Sequence, residues 1–416
     1  MVDAPDRAPA TPAPSPVVVM KFGGTSVATE GGRAAIASRV TEALELGKAP
    51  VVVVSAMGRK GAPYATDTLL GLVDGLPADE RERDLLQSVG EIVSAVVVAH
   101  ELRAAGIEAR AFTGPEAGIA TDGAFGASTV TEVHTGPLAA ALGQGVVPVV
   151  CGFQGMGEDG RLTTLGRGGS DTTACALGVA LEAEEVEIYT DVDGVMTADP
   201  RACDGAEVLE VIGADELFQM AKHGSRVVHT PAAELALASG LSVRVRNTYS
   251  DHPGTRVADI AGYRPASVAT AVSHVGGVVR FRVALPGTEG TRAHMETQTR
   301  IYRAMADAGV SLDMFTPLSA TLVFCVSDAA LQTTSDVLER LGVAYDATCD
   351  LAKVTLVGAG MHGVPGVMAR VAEHLSEAGV NVVQTADSHT TISVLVPAED
   401  AERAVSALHK GFELGE

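Results

Sequence analysis

Five short stretches limit what this chain can fold into: VVVMKF (17–22), APVVVVSAM (49–57), GVVPVVCGF (145–153), VEIYTDV (186–192) and LSVRVRN (241–247). Successive side chains of a strand point to opposite faces. A strand that is apolar at nearly every position must therefore be covered on both faces, as in a parallel sheet. Stretches of helical period lie between them: GGRAAIASRVTEALELG, RDLLQSVGEIVSAVVVAHELRAAG, DTTACALGVALEA and ADELFQMAKHG. Strand–helix alternation predicts an α/β fold, a mostly parallel sheet sandwiched by helices. Ligands of such sheets sit beyond the carboxyl ends of the strands.

Composition narrows the function. With 416 residues the chain exceeds one ordinary core, so two or three domains are expected. Acidic residues outnumber basic ones by 52 to 30, a net charge of −22. That balance argues against nucleic acid or an anionic membrane as partner. The five cysteines are scattered without a CxxC pair and read as reduced thiols of a cytoplasmic protein. No apolar run is expected to reach the ~20 residues of a membrane span. Residues 1–16, MVDAPDRAPATPAPSP, read as a disordered Pro/Ala-rich tail.

From about 263 the pattern changes to an internal repeat. RIYRAMADAGVSLDMFTPLSATLVFCV (300–326) and RVAEHLSEAGVNVVQTADSHTTISVLV (370–396) superpose at a constant offset of 70. Each copy is preceded by a strand pattern and followed by a helix pattern, so β-α-β-β-α recurs, a ferredoxin-like unit. The pair reads as a regulatory module, or as a dimerisation module only.

Two glycine-rich stretches could carry chemistry. KFGGTS places Lys21 at a strand end before Gly23, Gly24, Thr25 and Ser26. Nucleotide phosphates need backbone N–H groups brought close and a cation beside them, which this turn supplies. It lacks the P-loop pattern, and a lysine before a Gly turn is also an ordinary turn. GRGGSDTTA places Arg167 between Gly166 and Gly168, with Ser170 and Asp171 where a helix begins. The guanidinium fork there could hold a carboxylate. A capped helix with a surface arginine is the competing reading.

The motifs KFGGTSV, SAMG…ATDTLL, GFQG…TTLGRGGSDTTA, TDVDGVMTADPR and VRVRNTYSDHPGT occur in this order and resemble the aspartokinases. The repeat resembles the paired ACT domains of that family. SAMGRKGAPYATDTLLGL and TADSHTTISVLV resemble most its single-chain members that answer to diaminopimelate or lysine. The resemblance implies an amino-acid-kinase domain over 17–262, ACT domains over 263–346 and 347–416, and a homodimer or larger assembly. It implies ATP-dependent phosphorylation of the L-aspartate side-chain carboxylate to 4-phospho-L-aspartate, with Mg²⁺ arriving on the nucleotide.

The same resemblance assigns roles. Lys21 and Asp171 are catalytic. Gly23, Gly24 and Ser26 cradle phosphates, and Thr190, Asp191, Asp199 and Arg201 lie near the adenosine. Arg167 clamps the α-carboxylate and Glu91 takes the α-ammonium, with Thr66, Gly168 and Ser170 lining the cleft. An acidic residue in the apolar helix SVGEIVSAVVV is costly unless paired, which fits Glu91. VGAGMHGVPGV (357–367) and AGVSLDM (308–314) imply an effector site for lysine, threonine or diaminopimelate at Asp313, Met361, Val364, Gly366 and Ser388. Dedicated metal ligands are not expected. The chain departs from the family at Arg226 (usually lysine), at Thr230 before Pro231 (usually His-Pro) and at Met196 (often aromatic), all near the nucleotide loop. A related acidic amino acid as acceptor, or a silent amino-acid sensor, remain alternatives.

Overall fold

The computed structural model describes residues 15–77, 79–225, 227–258, 267–286, 291–361 and 363–415. Most of the expected tail (1–14), Arg226 and the expected junction at 262–263 lie outside the described residues. The chain forms two compact units, Met1–Val195 with Val227–Asp259, and Met196–Arg226 with Ile260–Glu416. This differs from a single break after residue 262, because the segment 196–226 groups with the second unit. Its bonds explain why: Val272 N–H donates to the Thr197 carbonyl at 2.7 Å, and Glu216 accepts from the Thr270 hydroxyl at 2.5 Å.

The first unit begins β1 (Val17–Phe22), α1 (Gly24–Ala28), α2 (Glu30–Glu45), β2 (Ala49–Val54), α3 (Thr66–Leu70), α4 (Glu80–Ala104) and β3 (Ala109–Phe112). It continues with β4 (Ile119–Thr121), β5 (Val130–Val133), α5 (Gly136–Gly143), β6 (Val147–Cys151), β7 (Gln154–Gly157), β8 (Leu162–Thr164), α6 (Gly169–Ala180) and β9 (Glu185–Thr190). In the second unit's segment follow β10 (Val211–Gly213) and α7 (Ala214–Lys222). The chain then returns to the first unit for α8 (Thr230–Ser239), β11 (Val243–Asn247) and β12 (Thr255–Ala258).

The main sheet of the first unit runs β12-β11-β9-β1-β2-β6-β3. Its pairs are parallel except β11 with β12. The five Val-rich stretches are its five central neighbours. Val51–Val54 and Val147–Cys151 are buried on both faces, as their composition requires. Phe22 stacks on Tyr189 at 4.6 Å between ring centroids. A second sheet, β5-β4-β7-β8, is built of three- and four-residue strands rich in Gly and Thr. The expectation of no membrane-length apolar segment needs one correction. Helix α4 is long and apolar enough, with mean hydropathy 1.4, but half of that window is buried inside the unit. It is apolar because it is a core helix, packing Ala95, Val98, Ala99 and Leu102 against the sheet residues Val52 and Val149.

The second unit holds β13 (Ala271–Ala284), α9 (Arg292–Asp307), β14 (Asp313–Pro317), β15 (Thr321–Ser327) and α10 (Leu331–Leu341). It closes with β16 (Tyr345–Val357), α11 (Val367–Glu377), β17 (Gln384–Asp387), β18 (Thr391–Pro397) and α12 (Ala401–Gly411). One six-stranded sheet runs β14-β15-β13-β16-β18-β17. β13 serves both repeats. Its Val278–Ala284 pairs with β15, whereas its Ala271–Val275 pairs with Lys353–Val357 of β16. Gly277, at φ +66° in the register shift between them, divides the strand. Each half therefore has four strands and two helices in the ferredoxin-like order. The second repeat takes its fourth strand from residues that precede the first, so consecutive blocks 263–346 and 347–416 do not describe the pairing. Phe281, Phe324, Ile301 and Leu338 fill one core, and Val354, Leu375, Val394 and Leu408 the other.

Candidate active site

Neighbouring parallel strands β9, β1, β2 and β6 end at one edge of the first unit's sheet. Their exits are tied together: Ser55 N–H donates to the Phe22 carbonyl at 3.2 Å and Gly152 N–H to the Val54 carbonyl at 3.0 Å. Lys21, on β1, lies with its ammonium 2.6 Å from Asp171 Oδ1 at the first turn of α6, and both side chains are largely buried. Asp171 Oδ2 accepts the backbone N–H of His229, which caps α8. A carboxylate at a helix N-terminus is stabilised by the free N–H groups and the dipole there. The two glycine-rich stretches thus come together at Lys21 and Asp171.

Gly168 is required for this approach. It is left-handed (φ +79°), and a Cβ there would lie 2.4 Å from His229 Cβ. Ser170 is buried against Gly152, where an added Cβ would come within 2.7 Å of the serine Cβ. In the other turn a Cβ on Gly24 would lie 2.5 Å from the Ala56 carbonyl oxygen. Gly23 lies against the lysine: an added Cβ would be in ordinary contact, 3.7 Å from Lys21 Nζ. Ser26 differs from its expected role. It is fully buried, and its hydroxyl pairs with Thr248 Oγ1 at 2.7 Å, so it anchors the turn.

Glu91 lies on α4 and is 3 % exposed. Its Oε1 accepts the Ala56 N–H at 3.0 Å, and its buried Oε2 has no hydrogen-bond partner among the described residues. Burial raises its pKa to about 8, against the smaller opposing pull of the Ala56 N–H. At neutral pH the group is therefore held mostly in its neutral form unless a positive charge is placed beside it. The preceding Gly90 makes the position possible: a Cβ there would be 2.5 Å from the Tyr64 carbonyl oxygen. Arg167 is exposed and has no hydrogen bond or ion pair with the described residues. Thr66 is half-buried at the start of α3, on the same β2 exit loop as Ala56.

The expected adenosine residues divide. Thr190 ends β9 and Asp191 follows it in the first unit, where Asp191 Oδ2 meets the Arg59 guanidinium at 3.1 Å. Asp199 and Arg201 belong to the second unit and engage each other by two parallel hydrogen bonds of 3.0 and 2.7 Å. Met196 forms a bridge with Val208 in that unit, and Thr230 and Pro231 form the first turn of α8.

Sequence reasoning missed Asp84 of α4. It is fully buried and accepts from Gly126 N–H, Thr164 N–H and hydroxyl, and Gln87 Nε2. The signal was present: Asp84 precedes Glu91 by two helical turns, so both occupy one helix face. Also missed was a buried cluster in which Tyr189 donates to Glu187 and Arg246 donates to both, locking β9 to β11.

In the second unit the expected effector residues are separately engaged. Lys353, buried on β16, donates to Asp313 at the head of β14. Burial pushes the Asp313 carboxyl up, but Lys353 outweighs it and leaves the group below the ordinary range. Burial and the same ammonium hold the nearby His223 down to about 4. The Ser388 hydroxyl pairs with Thr391 Oγ1 at 2.8 Å, and Met361 is buried in the core of the second repeat. Val364 is exposed, and Gly366 is left-handed (φ +92°) at the start of α11 with open space around it. Among the described residues no group of three or more His, Cys, Asp or Glu is placed to hold a metal ion.

The first part of the chain is a member of the amino acid kinase family, whose model matches residues 16–247, and an ACT-domain model matches 346–410. Aspartokinase 1 of Bacillus subtilis is 42% identical over 405 residues, covering 96% of this chain and 99% of its own length. The aspartokinase of Thermus thermophilus is 37% identical over 411 residues, covering 96% and 99%. The crystal structure of E. coli aspartokinase III in complex with aspartate and ADP superposes with a TM-score of 0.81 at 25% identity, covering 95% of this chain and all of that one. The chain belongs to the aspartokinases.

Proposed function

We infer that this chain transfers the γ-phosphoryl group of ATP to the side-chain carboxylate of L-aspartate, giving 4-phospho-L-aspartate and ADP. The observation that carries the reading is the Lys21–Asp171 ion pair at the carboxyl edge of the sheet, beside the two glycine turns. The relatives named above, one of them solved with aspartate and ADP, support it. A carboxylate oxygen forms the new bond to phosphorus as the bond to the β,γ-bridging oxygen breaks, and ADP leaves with the electron pair. The nucleophile is ionised at neutral pH, so no general base is needed. The work is alignment and neutralisation of charge on the transferred group. Lys21 supplies fixed positive charge, and Asp171 holds it in place. Gly23 and Gly24 let the backbone approach the phosphates. Mg²⁺ shields the phosphate oxygens when bound. With no ready-made cluster among the described residues, it would be held mainly by the nucleotide, with Asp171 the adjacent carboxylate.

For the acceptor, Glu91 takes the α-ammonium and Arg167 the α-carboxylate, with Thr66, Gly168 and Ser170 lining the cleft. Thr190 and Asp191 lie on the nucleotide side. Regulation by an amino-acid end product runs through the two ACT-like halves, at the loops carrying Asp313, Met361, Val364, Gly366 and Ser388. E. coli aspartokinase III, solved with lysine and aspartate, supports an effector of this class. The halves also join copies of the chain, a reading supported by exposed Met295, Phe315 and Met368 on them. A cytoplasmic location fits the five free thiols. The test is ADP release from Mg·ATP with and without L-aspartate: release that does not depend on aspartate contradicts the reading.

A further inference from the structure

We propose that Asp84 is a positioning residue that sets the spacing of the two groups holding the acceptor amino acid, and so helps to select its length. The proposal rests on the reading of Glu91 and Arg167 given above. Asp84, Gln87 and Glu91 lie at i, i+3 and i+7 on α4, all buried on one face. Glu91 is one end of the acceptor site. Asp84 grips what leads to the other. Its Oδ2 accepts the Thr164 N–H at 2.8 Å, and its Oδ1 accepts the Thr164 hydroxyl at 2.8 Å. Thr164 ends β8, three residues before Arg167. Both Asp84 oxygens also accept the Gly126 N–H, at 3.0 and 3.1 Å. Gly126 belongs to the loop against which Gly166 packs, at 3.5 Å from its carbonyl oxygen for an added Cβ. Gln87 completes the clamp by donating to Asp84 at 2.9 Å and to Thr164 Oγ1 at 2.6 Å. Ser128, on the Gly126 loop, donates its N–H and hydroxyl to the Thr164 carbonyl at 2.8 and 2.9 Å.

One rigid helix thus carries the ammonium receptor directly and fixes the root of the carboxylate-binding loop through a fully satisfied buried carboxylate. Arg167 itself has no partner among the described residues, so its placement depends on that root. Aspartate and glutamate differ by one methylene between the α-groups and the reacting carboxylate. Discrimination between them requires the α-groups to be held at a fixed place relative to the phosphoryl donor. Asp84→Asn keeps the shape but turns an amide N–H₂ toward backbone donors, loosening the clamp without touching substrate.

The test is steady-state kinetics of the full chain for Asp84→Asn, Thr164→Val and Arg167→Ala, with aspartate, glutamate and ATP varied. Asp84→Asn is expected to raise the aspartate KM about tenfold or more, leave the ATP KM within about twofold, and lower the aspartate-over-glutamate preference about tenfold. Aspartate and ATP KM rising together with preference unchanged would mean a merely structural role and overturn the proposal. So would a folded Asp84→Asn protein with wild-type values. If Asp84→Asn does not accumulate folded, Thr164→Val is expected to shift the same ratio about threefold in the same direction, and an unshifted ratio overturns the proposal. Arg167→Ala separates the two levels. If it leaves the aspartate KM unchanged, the acceptor-site reading fails. If it raises that KM while Asp84→Asn does not, only the role of Asp84 fails.

Discussion

Binding of aspartate should expel a proton from Glu91. In the free protein this carboxyl is 3 % exposed, its Oε2 has no hydrogen-bond partner among the described residues, and burial raises its pKa to about 8. At pH 7 it is then about nine-tenths protonated. The α-ammonium of aspartate can pair with it only in the ionised form, so the ligand must displace that proton. Release should approach 0.9 proton per aspartate at pH 7 and fall to roughly 0.2 at pH 8.5. Apparent affinity should rise by about 25-fold between pH 6.5 and 8.5, while the free amino acid keeps its own charge. Titration calorimetry in buffers of different ionisation enthalpy measures the proton directly. Glu91→Gln should bind aspartate about a hundredfold more weakly and without proton exchange. The same shift has a stability consequence of known sign. The folded chain holds this proton more tightly than the unfolded one. The contribution of Glu91 is therefore present below pH 4.5 and lost as pH rises towards 8, and Glu91→Gln should remove that slope from the melting temperature. Aspartate binding that is independent of pH and exchanges no proton would refute the placement of the ammonium at Glu91.

Lys21→Ala should lower kcat by about a thousandfold with the fold intact by circular dichroism, since it removes the fixed charge at the phosphoryl group; retained turnover would remove Lys21 from the mechanism. Arg167→Ala should raise the aspartate KM by about a hundredfold and leave the melting temperature unchanged, because the exposed side chain makes no hydrogen bond or ion pair among the described residues. Gly168→Ala should cost about 1–3 kcal/mol, read as a lowered melting temperature, from the left-handed backbone and the clash with His229, and should impair turnover. Gly366→Asp should desensitise the enzyme to its end-product effector with basal kcat within about twofold and a lowered melting temperature, because the space on the effector loop is open but the left-handed backbone (φ +92°) strains any side chain; an unaltered inhibition curve would move the effector elsewhere.

What the sequence made legible was local or periodic. The five Val-rich stretches became five adjacent strands because a strand buried on both faces admits few other compositions. Lys21 and Asp171 were legible because glycine-rich turns at a strand end and a helix start have few structural purposes. Non-local pairings were hidden. Nothing in residues 271–275 says that they close the second repeat rather than open the first, since an antiparallel partner leaves no mark at a distance. The strands of the second sheet are too short for a period-2 pattern to show. The Ser26 hydroxyl looks the same in sequence whether it meets a phosphate or Thr248; only burial decides. Asp84 was concealed as one more charge on a charged helix start, although its spacing from Glu91 was visible.

The most direct test of the account is hydroxylamine trapping of the acyl phosphate, with Mg·ATP and L-aspartate, run beside glutamate and other acidic amino acids. Each reaction is repeated with lysine, threonine and diaminopimelate. The account predicts hydroxamate from aspartate, at a rate far above that from glutamate, and suppression by at least one effector. No hydroxamate from any acid, from folded protein that still binds an effector, would contradict it and leave the chain an amino-acid sensor.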